Sequence, residues 1–375
     1  MGAAGVCAYL CVALALFSAQ VHAFRAPLRA AFRKSGRLGA TKEDEDTRNV
    51  AEWATVLKEH RGRRFQVIAA EAWEDMALKL EREHPERFRF HTSSWGHWPD
   101  GTDNIEIGGF SPHNVISGSH VVFLANFESN AQTLSQFSVI ITLLQSFVES
   151  LTVVLPFYPV GQMERITKPG QVATANTYAQ LFSNLPSSGK PTRVMVYDIH
   201  ALQTRFYVSG TSILNLLTTV PMVLPRLQAA GIDCIAFPDD GAAKRFKTSF
   251  PDFALITCGK TRDGDDRRVV IQEGSAEGRH VCIVDDLVQT GGTLHEAGKA
   301  LVEDGALSVS CFVAHGVFPN EAWRRFAKGG DRGGLFRKFW VTNSCISVTR
   351  ELPTDDCFEV LDIAEQVVQD IDNFG

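Results

Sequence analysis

The chemistry of this chain concentrates in His280-Val281-Cys282-Ile283-Val284-Asp285-Asp286-Leu287-Val288-Gln289-Thr290-Gly291-Gly292-Thr293, where an apolar run passes through two adjacent carboxylates into a turn of threonines and glycines. A strand that ends in such a turn at the start of a helix builds a cradle for phosphate. Backbone N–H groups and two hydroxyls face the anion, the glycines allow close approach, and the helix dipole favours negative charge. Asp285 and Asp286 carry lone pairs that can hold sugar hydroxyls. An ordinary helix cap beside a tight turn accounts for one acid, but for neither the pair nor both threonines. The pattern points to a phosphorylated sugar.

Four smaller groups could complete a reaction around it. Tyr197-Asp198-Ile199-His200-Ala201-Leu202-Gln203 puts an imidazole just beyond one apolar run, and Phe237-Pro238-Asp239-Asp240-Gly241-Ala242-Ala243-Lys244-Arg245-Phe246 puts two acids beyond another. Cys258-Gly259-Lys260-Thr261-Arg262 supplies two closely spaced cations, and Trp95-Gly96-His97-Trp98-Pro99-Asp100-Gly101 pairs aromatic rings with an acid. Each has a plain reading when taken singly: a satisfied structural histidine, a turn, a solvated loop. Their joint occurrence carries the argument, because independent plain readings multiply to a small product.

Together these segments resemble the ribose-phosphate diphosphokinases, or PRPP synthetases, and within them the plant-type class II enzymes. The resemblance runs from about Phe65 to the carboxyl terminus. It implies that Asp285, Asp286, Thr290, Gly291, Gly292 and Thr293 bind ribose 5-phosphate, and that Lys260 and Arg262 are the catalytic cations of a flexible loop. It also implies that Trp98, Asp100, Arg165 and His200 bind ATP, and that His200 and Asp239 hold Mg2+, the one cofactor expected. The reaction so implied is transfer of the diphosphoryl group of ATP to the 1-hydroxyl of ribose 5-phosphate. Three departures from the family pattern are plain, one being Ser117-Gly118-Ser119 in place of an Arg-Gly pattern. Gln289 stands where many members have an acid, and Val160-Gly161-Gln162-Met163-Glu164-Arg165 lacks the usual adenine-side arginine. The missing arginine is compatible with the wider choice of nucleoside triphosphate attributed to class II enzymes. Two other readings stay open, a phosphoribosyltransferase that consumes PRPP and a non-catalytic, synthetase-associated regulatory protein.

The elements that must position these residues read as an alternation. Apolar runs of strand length at 65–70, 120–127, 151–157, 193–199, 234–237, 280–284 and 308–314 are separated by helical stretches at 131–150, 171–184, 212–230 and 292–303. Alternation of this kind predicts parallel βαβ units. Because the runs are continuously apolar, helices should cover both faces of each sheet. The fold expected is α/β, with two phosphoribosyltransferase-type domains whose mainly parallel sheets are covered by helices. Residues 61–208 are assigned to an N-terminal domain on the ATP side and 209–352 to a C-terminal domain on the ribose 5-phosphate side. Residues 353–375 read as a C-terminal helix packing on the N-terminal domain, with the active site in the cleft between the domains.

Composition agrees with a globular chain of this size. The 375 residues exceed the roughly 100 to 200 of one domain, with 45% hydrophobic and 21% charged. A net charge of −6 gives nucleic acid no general basic surface to bind, so none is expected as a partner. The eight cysteines form no CxxC pair, which suits buried thiols in a reducing compartment. Residues 6–17 form an apolar run too short to span a bilayer, followed by the small-x-small pattern Val21-His22-Ala23 of a secretory signal. Six basic residues and no acid then lie between 24 and 42, which is transit-peptide composition. Residues 1–42 thus resemble the bipartite plastid leader of algae with secondary plastids, the alternative being a secreted or endoplasmic-reticulum protein. Removing them leaves 31 basic against 43 acidic residues, and residues 43–60 then read as an acidic linker or N-terminal helix. No stable membrane insertion is expected after processing, and the chain is expected to form a homo-oligomer.

Overall fold

The structure, a computed structural model, describes residues 65–159, 166–263 and 266–373, all within the compact unit His60–Gly375. The leader at 1–42 and the acidic segment at 43–60 lie outside the described residues.

Two sheets organise the chain. The first joins β1 (Phe65–Ala69), β2 (Phe88–Phe90), β5 (His120–Leu124), β6 (Ser150–Leu155), β7 (Thr192–Tyr197) and β8 (Ser212–Leu217) in the order β2-β1-β5-β6-β7-β8, with every pair parallel. The second joins β9 (Cys234–Phe237), β10 (Ala254–Asp263), β11 (Asp266–Glu273), β12 (His280–Val288), β13 (Ser308–Gly316), β14 (Phe336–Thr342) and β15 (Phe358–Leu361) in the order β11-β10-β9-β12-β13-β14-β15. In it only β10 and β11 pair antiparallel. A separate antiparallel hairpin is made by β3 (Ser94–His97) and β4 (Asp103–Glu106). Helices α1 (Glu74–Glu83), α2 (Asn130–Gln145), α3 (Thr174–Ser183) and α4 (Val220–Ala229) precede or follow the first sheet's strands, and α5 (Asp240–Phe246), α6 (Gly292–Glu303), α7 (Ile346–Thr349) and α8 (Ala364–Asn373) complete the chain. The expected α/β architecture with mainly parallel sheets is therefore present.

Continuous apolar runs become strands buried on both faces. Val121, Val122, Phe123 and Leu124 of β5 and Val281, Cys282, Ile283 and Val284 of β12 are all buried. Each buried Val, Leu, Ile or Phe among them stabilises the fold by about 1.5–3 kcal/mol relative to exposure. Cys234, Cys258, Cys282, Cys311, Cys345 and Cys357 are free, and burial pushes the Cys234 and Cys258 thiols up to about 11.

Three expectations need correction. The helix expected over 212–230 is a strand followed by a helix: Ser212-Ile213-Leu214-Asn215-Leu216-Leu217 pairs with β7 as the edge of the first sheet, and α4 starts only at Val220. A short apolar run has no periodicity that separates strand from helix, and here the open edge of β7 decides. The boundary expected at 208/209 accordingly falls before the first sheet's last strand. The C-terminal helix also starts later, because residues 358–361 complete the second sheet as β15 before α8 begins. Finally, the segment read as a flexible loop around Lys260 and Arg262 is β10, paired with β11 from Thr257 to Asp263.

The two sheets are fastened together near their carboxyl ends. Ile346, Ile363, Val367 and Val368 share an apolar cluster with Val67, Leu124, Met195 and Tyr197 of the first sheet. Lys79 of α1 donates to Asp362 at 2.6 Å. His315 of β13 is buried with Nε2 2.9 Å from the Tyr197 carbonyl and Nδ1 2.8 Å from Ser344 Oγ. A carbonyl only accepts, so Nε2 carries the proton. Burial holds this imidazole below its ordinary pKa despite the nearby Asp198 and Asp286 carboxylates.

Candidate active site

A cavity of about 770 Å3 opens where β7, β9 and β12 end, and its lining includes His200, Gln203, Asp239, Lys244, Arg245, Asp285, Asp286, Gln289, Thr290, Gly291, Gly292 and Thr293. The carboxyl ends of parallel strands and the amino ends of the following helices converge there, which is where α/β sheets bind ligands.

His200 reaches the cavity through an unusual backbone step. Asp198, just past β7, has φ of 37°, in the left-handed region that costs a non-glycine residue on the order of 1–3 kcal/mol. Its buried carboxylate offsets that cost by accepting from Thr218 Oγ1 at 2.8 Å and from the Thr219 N–H at 2.7 Å. The end of β8 thus sets the path of the chain into the site. His200 Nδ1 then lies 2.8 Å from Asp286 Oδ2, bridging the first sheet to the second.

Arg245, in the last turn of α5, completes that junction. Its Nη1 donates to Asp286 Oδ2 at 2.6 Å and to the Asp198 carbonyl at 3.2 Å, and Nη2 donates to the His200 carbonyl. Burial alone would raise the Asp286 carboxyl, but the His200 hydrogen bond and the Arg245 charge hold it below its ordinary value. Asp285 responds oppositely. Burial, with the negative charges of Asp286 and Asp239 beside it, pushes its carboxyl well above the usual range.

Asp239 caps α5, its Oδ1 accepting from the N–H groups of Gly241 at 2.9 Å and Ala242 at 3.0 Å. The turn before α6 is built differently. Gly291 sits at the cap position with φ of 67° and ψ of 18°, and no side chain caps the helix. That left-handed conformation suits glycine, and Phe326 enforces the choice, since a Cβ on Gly291 would lie 2.3 Å from its Cζ. The amino end of α6 is left with its backbone donors available to an anion.

Not every expected residue meets here. Trp98 and Asp100 lie on the exposed turn between β3 and β4, where Asp100 accepts from the Thr102 N–H at 3.0 Å and is not among the cavity lining. Lys260 is exposed on β10 and also stands off the lining. Arg165 and the Arg262 side chain lie outside the described residues. Arg245, and Arg332 behind the turn, were given no role by sequence reasoning. The first had a signal, a cation at the end of the short helix that Asp239 opens. For the second, only the glycine cluster Gly329-Gly330-Asp331-Arg332-Gly333-Gly334 marked a tightly wound loop.

Among the described residues no three His, Cys, Asp or Glu side chains stand together as a metal cage. The residues do suit a hard cation that arrives with phosphate oxygens and keeps its waters, because Asp239, Asp285 and Asp286 bring carboxyl oxygens to one cavity.

The chain has clear relatives among known proteins. The phosphoribosyl transferase domain family matches residues 240–328. The chain is 43% identical over 300 residues to ribose-phosphate pyrophosphokinase 4 of Oryza sativa subsp. japonica, covering 78% of this chain and 91% of that protein. It is 46% identical over 281 residues to the chloroplastic ribose-phosphate pyrophosphokinase 3 of Arabidopsis thaliana, covering 73% and 67%. The fold resembles the crystal structure of phosphoribosylpyrophosphate synthetase from Mycobacterium smegmatis, with a TM-score of 0.67 at 23% identity over 83% of this chain and 98% of that one. Identity of this extent over most of the length places the chain in the ribose-phosphate pyrophosphokinase family, the ribose-phosphate diphosphokinases.

Proposed function

We infer that this protein is a ribose-phosphate diphosphokinase that makes PRPP and AMP from ATP and ribose 5-phosphate. The observation that carries the reading is the juxtaposition, in one cavity, of an uncapped Thr-Gly-Gly-Thr turn with an acid pair and with His200 from the other sheet. In the site so proposed, the turn takes the 5-phosphate, and Asp285 and Asp286 take the 2- and 3-hydroxyls. The 1-hydroxyl attacks the β-phosphorus of ATP in line, a new O–P bond forms, the bond from the β-phosphorus to the α,β-bridging oxygen breaks, and AMP leaves as the hydroxyl proton is lost. Catalysis of this kind rests on positioning and charge stabilisation.

His200 and Asp239 are proposed to hold Mg2+ together with the ATP phosphates, where it would spread their charge. Trp98, Asp100 and Arg165 are proposed on the nucleotide side. Lys260 and Arg262 are proposed to reach the transferring group by movement of the β10–β11 hairpin, and removing such a cation costs on the order of 10³-fold in rate. Gln289, in the lining, stands where other members have an acid, so no base is assigned there.

Further proposals concern assembly and address. A homo-oligomer is proposed, and import into an organelle fits the composition of residues 1–42 and a chloroplastic relative; a secondary plastid is the specific address proposed. Among the described residues no helix is long and apolar enough to cross a membrane. Incubating the protein with ribose 5-phosphate and magnesium-ATP and resolving the nucleotides tests the function. AMP should appear in equal amount with PRPP, and absence of AMP formation overturns the reading. A fluorescent fusion of residues 1–42 tests the address.

A further inference from the structure

The loop behind the phosphate turn carries a cation that touches the turn from outside the cavity. Arg332 Nη1 donates to the Thr290 carbonyl at 2.7 Å, and its guanidinium lies 5.5 Å from the centre of the Phe326 ring. That ring fills the space beneath Gly291. The arginine is itself fixed in place: its backbone N–H donates to the Arg325 carbonyl at 2.8 Å, and neighbouring Asp331 pairs with Arg325 at 2.6 Å. Gly330 has no room for a side chain, since a Cβ there would lie 2.3 Å from the Arg324 carbonyl oxygen. The loop is wound on its own backbone and presents Arg332 as a stiff prop.

A trans peptide is planar, with its C=O and N–H opposed. With the Thr290 carbonyl turned to Arg332, the Gly291 N–H is directed away from Arg332, and Gly291, Gly292 and Thr293 line the cavity. We propose that Arg332 is a positioning residue for the 5-phosphate of ribose 5-phosphate, fixing the Thr290–Gly291 peptide so that the glycine amide is aimed at the anion before the anion arrives. The proposal rests on the assignment of the turn to that phosphate. Without the prop the peptide can rotate and present a carbonyl lone pair to the phosphate, and part of the binding free energy goes to ordering it.

The test compares the full chain with Arg332→Ala and Arg332→Lys by calorimetric titration of ribose 5-phosphate and by the KM values of both substrates. Loss of a charged hydrogen bond predicts roughly 10- to 100-fold weaker ribose 5-phosphate binding in Arg332→Ala. The KM for ATP should stay within about twofold of the parent's, since ATP does not use the turn. Arg332→Lys, which keeps a charged donor, should recover most of the loss. The ratio between parent and Arg332→Ala should persist in 1 M salt, where the screening length is about 3 Å, whereas a merely long-range charge effect would vanish. Arg332→Ala binding ribose 5-phosphate like the parent, a matched rise in both KM values, or a ratio that collapses in salt each overturns the proposal. A parent that fails to bind ribose 5-phosphate overturns instead the assignment of the turn, and this proposal with it.

Discussion

Two strand-to-helix junctions, one in each sheet, are finished in opposite ways. In the first sheet β5 leads into α2, and Ser129 closes the helix start, its Oγ accepting from the Gln132 N–H at 3.2 Å. In the second sheet β12 leads into α6, where Gly291 stands at the cap position and offers no side chain. A capped helix start has spent one of its free donors internally, whereas an uncapped one keeps them for a ligand. At these two junctions the residue at the cap position decides whether the helix start stays open to an anion.

The largest effect should come from closing the open junction. Gly291→Val places a branched side chain at a left-handed φ and against Phe326. PRPP formation should fall by on the order of 100-fold or more, the loss expected when one anion-stabilising donor is displaced. Retention of parental kcat/KM for ribose 5-phosphate would break the comparison.

A second effect concerns the salt bridge that flanks the open junction and has no counterpart described at the closed one. Arg245→Met leaves the Asp286 carboxylate, only 8% exposed, without its guanidinium. Breaking a buried pair from one side costs about 3–5 kcal/mol, which urea unfolding would register. A shift of the urea midpoint no larger than for a surface arginine would refute the pairing.

The same pair has a pH signature. Because the folded-state pKa of Asp286 is depressed, its contribution to stability is present above the ordinary value of 3.8 and is lost as pH falls through the lowered one. The stability gap between the parent and Asp286→Asn should therefore be full at neutral pH and shrink below 3.8. Paired urea titrations at pH 7 and in that acid range check this, and a gap independent of pH contradicts it.

The smallest effect belongs to the closed junction. Ser129→Ala should cost about 1 kcal/mol of stability and leave the KM for ribose 5-phosphate unchanged, as thermal melting and steady-state kinetics would show.

Much of this was legible in the amino-acid sequence, for identifiable reasons. Cys234–Phe237 and Gly292–Glu303 read correctly because their punctuation is strong, an acid pair and glycines beside continuous apolar runs. The acid pair and the Thr-Gly-Gly-Thr turn were legible as a unit because they are contiguous. What failed was decided by partners distant in sequence. Ser212–Leu217 becomes a strand because β7 has a free edge, Phe336–Thr342 was overlooked because Arg337 and Lys338 interrupt its apolar run, and Lys260 lies in a strand because β11 folds back on it. Arg245 and Arg332 act across 41 or more positions, on Asp286 and Thr290, so their partners could not be read from local pattern, even where, as for Arg245, the position at a helix end was itself a signal.

His315 has a consequence for how the molecule can work. By tying β13 to the end of β7 through the Tyr197 carbonyl, it makes a buried hydrogen bond that any hinge motion between the two sheets would have to break.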